Sequence, residues 1–553
     1  MKVSDGYSPL LSIALKQRVE MISQPVSLNS LQFADSAGCA RWVATLPLTN
    51  IPAAQQRLAS QIALAGQAEL TAFELLKILE VLRDPIVHLQ QEAAIKYAGK
   101  ALPLENIEIA TWKKTVELWQ ELTHAYLACR DAYVRGEPGL RPHGALITLR
   151  CLQYTGRMML EHYRIHSQPP VTLWRELHQL YTFAEQSYFA HTSVTDELNR
   201  QEPVSNCAAV FCRALLTQLA NPFALTARQL NFVDRWLDGW APLVGLSLQL
   251  PSSSAIPPLA VDLASSYGAA PAQELEQAPG LRHLDLEQIA RSLRQLITLL
   301  KQGQSPAQLG LGEDAHQPGC ENLLMLLYIQ WCRSGTGRGE QRNTSTEKAQ
   351  VCLGMHAAHF YISGRAFRMP GGSLSRQEEQ DLQLFGRVSE RTELMLASTN
   401  SVAIESWQLM NHSGAGFMCM LREPDARVRI SHNQLIAVRR RTERSFQIGV
   451  VQWLRVEENN ELFIGVRLLP GNARAVAARP VNFKLPGGVN TFERALLLPE
   501  SSAPAVPATL ILPSGWYQPG RFIDIQDEQK QVAKLDGLLE KGSDFDRCII
   551  SLS

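Results

Sequence analysis

The sequence predicts a multidomain α + β protein, with a large all-α amino-terminal region, an antiparallel β-barrel and a β-rich carboxy-terminal region. Three observations predict it. Apolar residues recur at helical spacing up to about residue 333. After Gly371-Gly372 that period gives way to short β-type runs bounded by turn residues. The chain has 553 residues, more than one hydrophobic core organises, so several domains are required.

The helical region spans 1–333. Leu75, Leu76, Leu79 and Leu82 lie on one helical stripe, which Pro85 is expected to stop because proline has no amide to donate. Trp112, Val116, Trp119 and Tyr126 form a second stripe. A third helix is expected from Asp285, whose carboxylate can cap the first turn, with Gln288 placed for a capping box. Its stripe is Leu286, Ile289, Leu293, Leu296, Ile297 and Leu300, and Gly303 and Pro306 end it. Such stripes bury only against one another, which implies a bundle or stacked hairpins. Residues 251–280, rich in Pro, Ser, Ala and Gly, read as a loop.

Residues 334–372 read as a hinge and connecting segment, beginning with SGTGRGEQRNTST, whose glycines match no phosphate loop. The barrel is expected over 373–480, with strands at Gly416–Leu421, Gln434–Val438, Phe446–Trp453 and Glu461–Leu468. The β-rich region over 481–553 offers Ala495–Leu498, Ala508–Leu512, Arg521–Ile525 and Cys548–Leu552, with prolines in the connections.

Composition narrows the function classes. Charged residues are 19%, with 53 basic against 53 acidic side chains, so no net field gathers nucleic acid or an anionic membrane. No apolar run is long enough to span a bilayer, and the amino terminus lacks the apolar core of a signal peptide, so a cytoplasmic protein is expected. The ten cysteines include no CxxC pair and fit buried thiols better than disulfides.

Two short motifs carry the chemistry. Arg387-Val-Ser-Glu-Arg391 is RxxxR, and Asn411-His-Ser-Gly-Ala-Gly416 is NxSxxG at the mouth of a strand. Paired guanidinium forks grip phosphates or the O6/N7 edge of guanine. Asn411 offers a carboxamide, Ser413 a short hydroxyl, and Gly416 a dihedral that other residues avoid. Gly449-Val-Val-Gln-Trp453 and Ile464-Gly-Val-Arg-Leu468 follow as strands. In this order the four segments resemble the PilZ domain family over about residues 380–475. The layout of helices before the barrel resembles large proteobacterial PilZ proteins. The resemblance implies a receptor for cyclic di-GMP that binds through Arg387, Arg391, Asn411, Ser413 and Gly416; the helical region is expected to be the output, docking a partner protein. It departs from the pattern at Leu468, where Phe is usual, and has Gly386 before the first arginine.

Other constellations are set aside. Arg440 and Arg444 repeat RxxxR after the second motif and read as a basic hairpin turn. His162 with His166, and His356 with His359, have metal-like spacing but no third ligand. No GxSxG elbow or kinase motif set occurs, so no catalytic residue, metal or cofactor is expected. The rival reading is an adaptor or scaffold whose degenerate barrel binds no nucleotide.

Overall fold

The computed structural model describes residues 31–196, 198, 204–250, 256–333, 343–396, 402–413, 416–422, 428–481, 491–502, 505–527 and 530–552. The amino-terminal stretch read for a signal peptide, most of the glycine-rich hinge (334–342) and the Gly-Ala pair inside NxSxxG lie outside them.

The helical region begins with α1 (Ser36–Val43), α2 (Ile51–Gln67), α3 (Ala72–Ala94), α4 (Asn106–Val134), α5 (Gly144–Arg164), α6 (Val171–Gln186), α7 (Cys207–Leu219) and α8 (Ala227–Trp240). Side chains that accept from first-turn amides set several starts: Asn50 on α2, Thr71 on α3, Asn206 on α7 and Thr226 on α8. One core cluster runs through all of these helices, from Phe33 to Cys332.

Pro85 does not stop its helix: α3 continues through it to Ala94. The proline removes one backbone bond and strains the preceding turn, a cost of about 3 kcal/mol. Ile78, Leu79 and Leu82 before it and Ile86 and Leu89 after it are all buried on one face. Burying each such side chain is worth about 1.5–3 kcal/mol, so the stripe outweighs the proline.

The region is also not all-α. Strands β1 (Gly245–Ser247), β2 (Leu259–Asp262), β3 (Ala270–Pro271) and β4 (Leu281–Asp285) form a four-stranded antiparallel sheet across the stretch expected as a loop. Leu259, Ala260 and Val261 are buried on both faces of that sheet, which erases the alternation that marks a strand. Helices α9 (Glu287–Lys301) and α10 (Gly319–Cys332) follow. Asp285 accepts from the Glu287 amide at 3.0 Å, and Ile289, Leu293, Ile297 and Leu300 are buried as the stripe predicts.

The first barrel opens inside the expected connector, with β5 (Asn343–Thr344) and β6 (Lys348–Leu353). It continues with β7 (Glu405–His412), β8 (Phe417–Arg422), β9 (Leu435–Arg440), β10 (Gln447–Val456) and β11 (Leu462–Leu468). The antiparallel order β8-β11-β10-β9-β6-β7, with β7 pairing back to β8, closes a ring of six strands, and β5 extends the edge beside β7. Trp407, Leu409, Met420, Ile436, Val451 and Ile464 fill it. Between β6 and β7 lie α11 (Gly354–Ser363), α12 (Arg376–Phe385) and α13 (Glu390–Leu396).

A second closed barrel follows, made of β12 (Arg474–Pro480), β13 (Glu493–Leu498), β14 (Thr509–Pro513), β15 (Phe522–Gln526), β16 (Lys530–Lys541) and β17 (Phe545–Leu552). Helix α11 lies between the barrels, where Ala357 and Ala358 pack with Leu435 and Ala437 of the first and Leu496 and Leu498 of the second.

The helical region is docked on the first barrel. Leu102 exchanges two backbone hydrogen bonds with Ile430 (2.8 and 2.7 Å), and its side chain enters the barrel core. Arg429 donates to the Ala101 carbonyl and forms ion pairs with Glu105 and Glu108. A second junction pairs Val456 with His166 and Gln168, and the His166 ring stacks on His432.

Where the barrels meet, Asp544 accepts from the Leu435 amide at 2.9 Å, and burial pushes its carboxyl up from 3.8 to about 6. The folded form therefore binds this proton more tightly than the unfolded chain, so the group's contribution to stability falls as pH rises from about 4 to 6. Asp544→Asn keeps an acceptor without the charge. It is expected to match the wild type near pH 4 and to exceed it by about 2 kcal/mol at pH 7, after allowance for solvent at a half-buried group. Urea midpoints at the two pH values check this, and an equal offset at both rules out Asp544 as the titrating group.

Candidate functional site

The NxSxxG motif forms the connection between β7 and β8. Asn411 and His412 end β7, and the Gly416 amide donates to the Ser413 carbonyl at 3.2 Å, folding the chain back. Gly416 has φ +80°, a left-handed conformation that glycine adopts without strain. A side chain there would also press on Leu468, whose amide donates to the Gly416 carbonyl at 2.9 Å. Ser413 is buried, and its hydroxyl has no hydrogen-bond partner among the described residues.

Asn411 lies in a row across the sheet. It pairs with Cys419 on β8, Cys419 with Gly465 on β11, and Gly465 with Trp453 on β10. Register slips beside Cys419 and Trp453 mark bulges at two points of the row. The row lines a cavity of about 470 Å³, whose other wall is Asn221, Ala224, Gln229, Leu326 and Gln330 of the helical region.

Arg387 and Arg391 lie in the helical segment between β6 and β7. They follow α12, which Ser375 caps through a reciprocal box with Glu378 and which ends at Gly386 with φ +69°. Asp381 then accepts from both the Ser389 amide (2.9 Å) and hydroxyl (2.7 Å), fixing the turn into α13. Arg368 pairs with Glu378 and Glu393, and the Ala366 amide donates to Glu393 at 2.6 Å. Ala366, Leu394 and Val402 pack on Phe360 and Tyr361 of α11. RxxxR thus sits in a capped helical hairpin, and both arginines are exposed without an ion pair or hydrogen bond among the described residues. The hairpin is anchored near the Glu405 end of β7, whereas Asn411 and Ser413 lie at the other end, about 20 Å along the strand at 3.3 Å per residue.

The structure brings Asn411, Ser413 and Gly416 together at the β7–β8 turn, and holds Arg387 and Arg391 in the α12–α13 hairpin. The second RxxxR lies in the β9–β10 hairpin, with Arg440 paired to Glu443, as its position in the sequence suggests. Of the set-aside histidines, His162 packs edge-on to Trp112, and burial pushes it down to about 4. No group of three metal-ligating side chains occurs among the described residues. No helix among them is long and apolar enough to cross a membrane.

Sequence reasoning missed Trp453, Gln229 and Gln330 as site residues. The aromatic-over-glycine pairing of Trp453 with Gly465 is a recognisable signal, but only once the β10–β11 register is known. Nothing local marks the two glutamines.

Three family matches cover parts of the chain. The family described as "Cyclic-di-GMP receptor FimW, N-terminal domain" matches residues 37–252, "Cyclic-di-GMP receptor FimW, middle PilZ domain" matches 259–393, and "FimW C-terminal beta-barrel domain" matches 476–552. The middle match includes Arg387 and Arg391 and ends before β7. The Cyclic-di-GMP receptor FimW of Pseudomonas aeruginosa is 22% identical over 571 residues, covering 94% of this chain and 90% of the relative. No solved structure matches.

Proposed function

We propose, from the premise that the chain belongs to the FimW family of PilZ-domain proteins, that it is a cytoplasmic receptor for cyclic di-GMP and carries out no catalysis. The observation that carries the reading is the β7–β8 turn. Gly416 holds a conformation suited to close backbone approach, and the Ser413 hydroxyl beside it is buried without a hydrogen-bond partner among the described residues. A buried hydroxyl without a partner costs about 1–3 kcal/mol, which a bound acceptor or donor recovers. Asn411, Ser413 and Gly416 would take a guanine edge, and Arg387 and Arg391 the phosphates. The arginine hairpin would have to swing along the barrel to do so. Its few apolar anchors on α11 make that motion affordable, and the docked helical region would carry the change to a partner protein.

Calorimetry with cyclic di-GMP tests this on the wild type, Arg387→Ala/Arg391→Ala and Asn411→Ala. The double variant is expected to lose about 100-fold or more in affinity, since each charged hydrogen-bonding group is worth about 1.5–3 kcal/mol. Asn411→Ala is expected to lose about 10-fold. No heat from a folded wild type ends the receptor reading. That same result would support the second reading, an adaptor with a non-binding barrel.

A further inference from the structure

We infer that the helical region supplies the second wall of the nucleotide site, with Gln330 of α10 and Gln229 of α8 holding one guanine base against Trp453. The inference rests on the receptor reading and adds to it the residues, outside both motifs, that would make binding a two-domain event.

The geometry of the floor comes first. A Cβ built on Gly465 would lie 1.9 Å from the Trp453 Nε1, so the indole lies flat over the glycine. Only glycine permits that approach. One ring face is thus spent on the sheet, and the indole lines the cavity together with Asn411. Among the described residues no aromatic ring packs on Trp453, and its indole N–H has no hydrogen-bond partner. A flat, half-buried aromatic on the outer surface of a barrel is a platform for a second planar ring, and base–aromatic stacking is worth about 1–3 kcal/mol.

The chemistry of the walls selects the ring. No Asp, Glu, Lys or Arg lines the cavity, which argues against a phosphate or a cation there. Amides converge instead: Asn411 and Gln452 from the barrel, Asn221, Gln229 and Gln330 from the helices. The Gln229 Oε1 is taken by Thr226 in the α8 cap, leaving its NH₂ to donate. The side chains of Asn411 and Gln330 have no hydrogen-bond partner among the described residues. A carboxamide carries both an acceptor and two donors, the complement of guanine's N1–H/N2–H₂ donors and O6/N7 acceptors. The volume, about 470 Å³, falls in the range of roughly 300–1,000 Å³ found for small-ligand pockets. A neutral pocket with a stacking floor and amide walls takes a base. The phosphates would remain outside it, toward the arginines.

Calorimetry on the full chain with cyclic di-GMP and cyclic di-AMP tests the inference, on the wild type, Gln330→Ala, Trp453→Leu and Arg387→Ala/Arg391→Ala. Expected are a preference of the wild type for cyclic di-GMP, a loss of about 10-fold for Gln330→Ala and about 10- to 100-fold for Trp453→Leu. Gln330→Ala should also narrow the preference for guanine over adenine, a readout that mere loosening of α10 would not move. If Trp453→Leu fails to fold, Gln330→Ala carries the test alone. Wild-type affinity and selectivity in Gln330→Ala, with binding lost in the arginine variant, overturn this inference and leave the receptor reading standing. A folded wild type that binds neither nucleotide overturns both.

Discussion

Arg150→Ala is expected to destabilise the helical region by about 3–5 kcal/mol at pH 7. Arg150 is 1% exposed and reaches two carboxylates, Glu80 at 3.0 Å and Asp196 at 2.7 Å. Arg83 reaches the same two, at 2.9 and 2.6 Å, and donates to the Tyr154 hydroxyl. Tyr126 closes the set by donating to Glu80 at 2.7 Å. Two cations and two anions thus balance inside the bundle and tie α3, α4 and α5 to Asp196. Deleting Arg150 leaves the buried Asp196 and the partly buried Glu80 sharing one guanidinium, and an uncompensated buried charge is what makes breaking such a pair costly.

The pH dependence separates this mechanism from lost packing. Burial pushes the Glu80 and Asp196 carboxyls up, but the guanidiniums of Arg150 and Arg83 outweigh it and hold both below the ordinary carboxylate range. Their folded values are depressed, so their contribution is complete above the unfolded value and is lost as pH falls through the folded one. Without Arg150 that depression shrinks. The gap between wild type and Arg150→Ala should therefore be widest at pH 7 and narrow below about pH 4. Guanidinium unfolding followed by far-ultraviolet circular dichroism at both values measures it. A gap under 1 kcal/mol at pH 7, or one that does not change with pH, would show that the network contributes only packing.

How far the sequence alone discloses this molecule depends on what each residue's neighbours are. Helix α9 is legible because Ile289, Leu293, Ile297 and Leu300 face one core while the opposite side meets solvent. Strand β6 is only half legible, because after the alternating Lys348–Val351 both faces are buried, Val351 filling the barrel and Cys352 the layer beneath α11. The same holds for Leu259–Val261 in the stretch that reads as a loop. Pro85 misleads because the residue rule is local, whereas the stripe that overrides it is completed by other helices. At the site, the Ser413–Gly416 turn is legible because its chemistry lies within six residues. The position of Arg387 and Arg391 depends on Ser375, Asp381 and Arg368, whose partners are not predictable from spacing. Gln229 and Gln330 come from helices more than 80 residues upstream of Asn411, so only the folded chain brings them together.

Leu102→Ala is expected to loosen the two-domain junction at a cost of about 2–5 kcal/mol, the range for truncating a buried leucine. Leu102 belongs to the helical region by sequence but is 3% exposed and packs in the core of the first barrel, beside Ile430 and with Leu104 against the rim. Its backbone bonds to Ile430 and the Arg429 contacts to Ala101, Glu105 and Glu108 surround that side chain. The ion pairs are partly exposed and worth little alone, so the leucine carries most of the attachment. In the variant, amide exchange at Ile430 should quicken, and calorimetric unfolding should broaden or split as helices and barrel lose their coupling. Arg429→Ala, by contrast, should cost under about 1–2 kcal/mol, leaving the transition single. Because Gln229 and Gln330 reach the cavity only while the helices are docked, Leu102→Ala should also weaken cyclic di-GMP binding without touching any ligand-facing residue. Intact affinity in a variant whose junction exchanges freely would mean that the barrel binds the nucleotide alone.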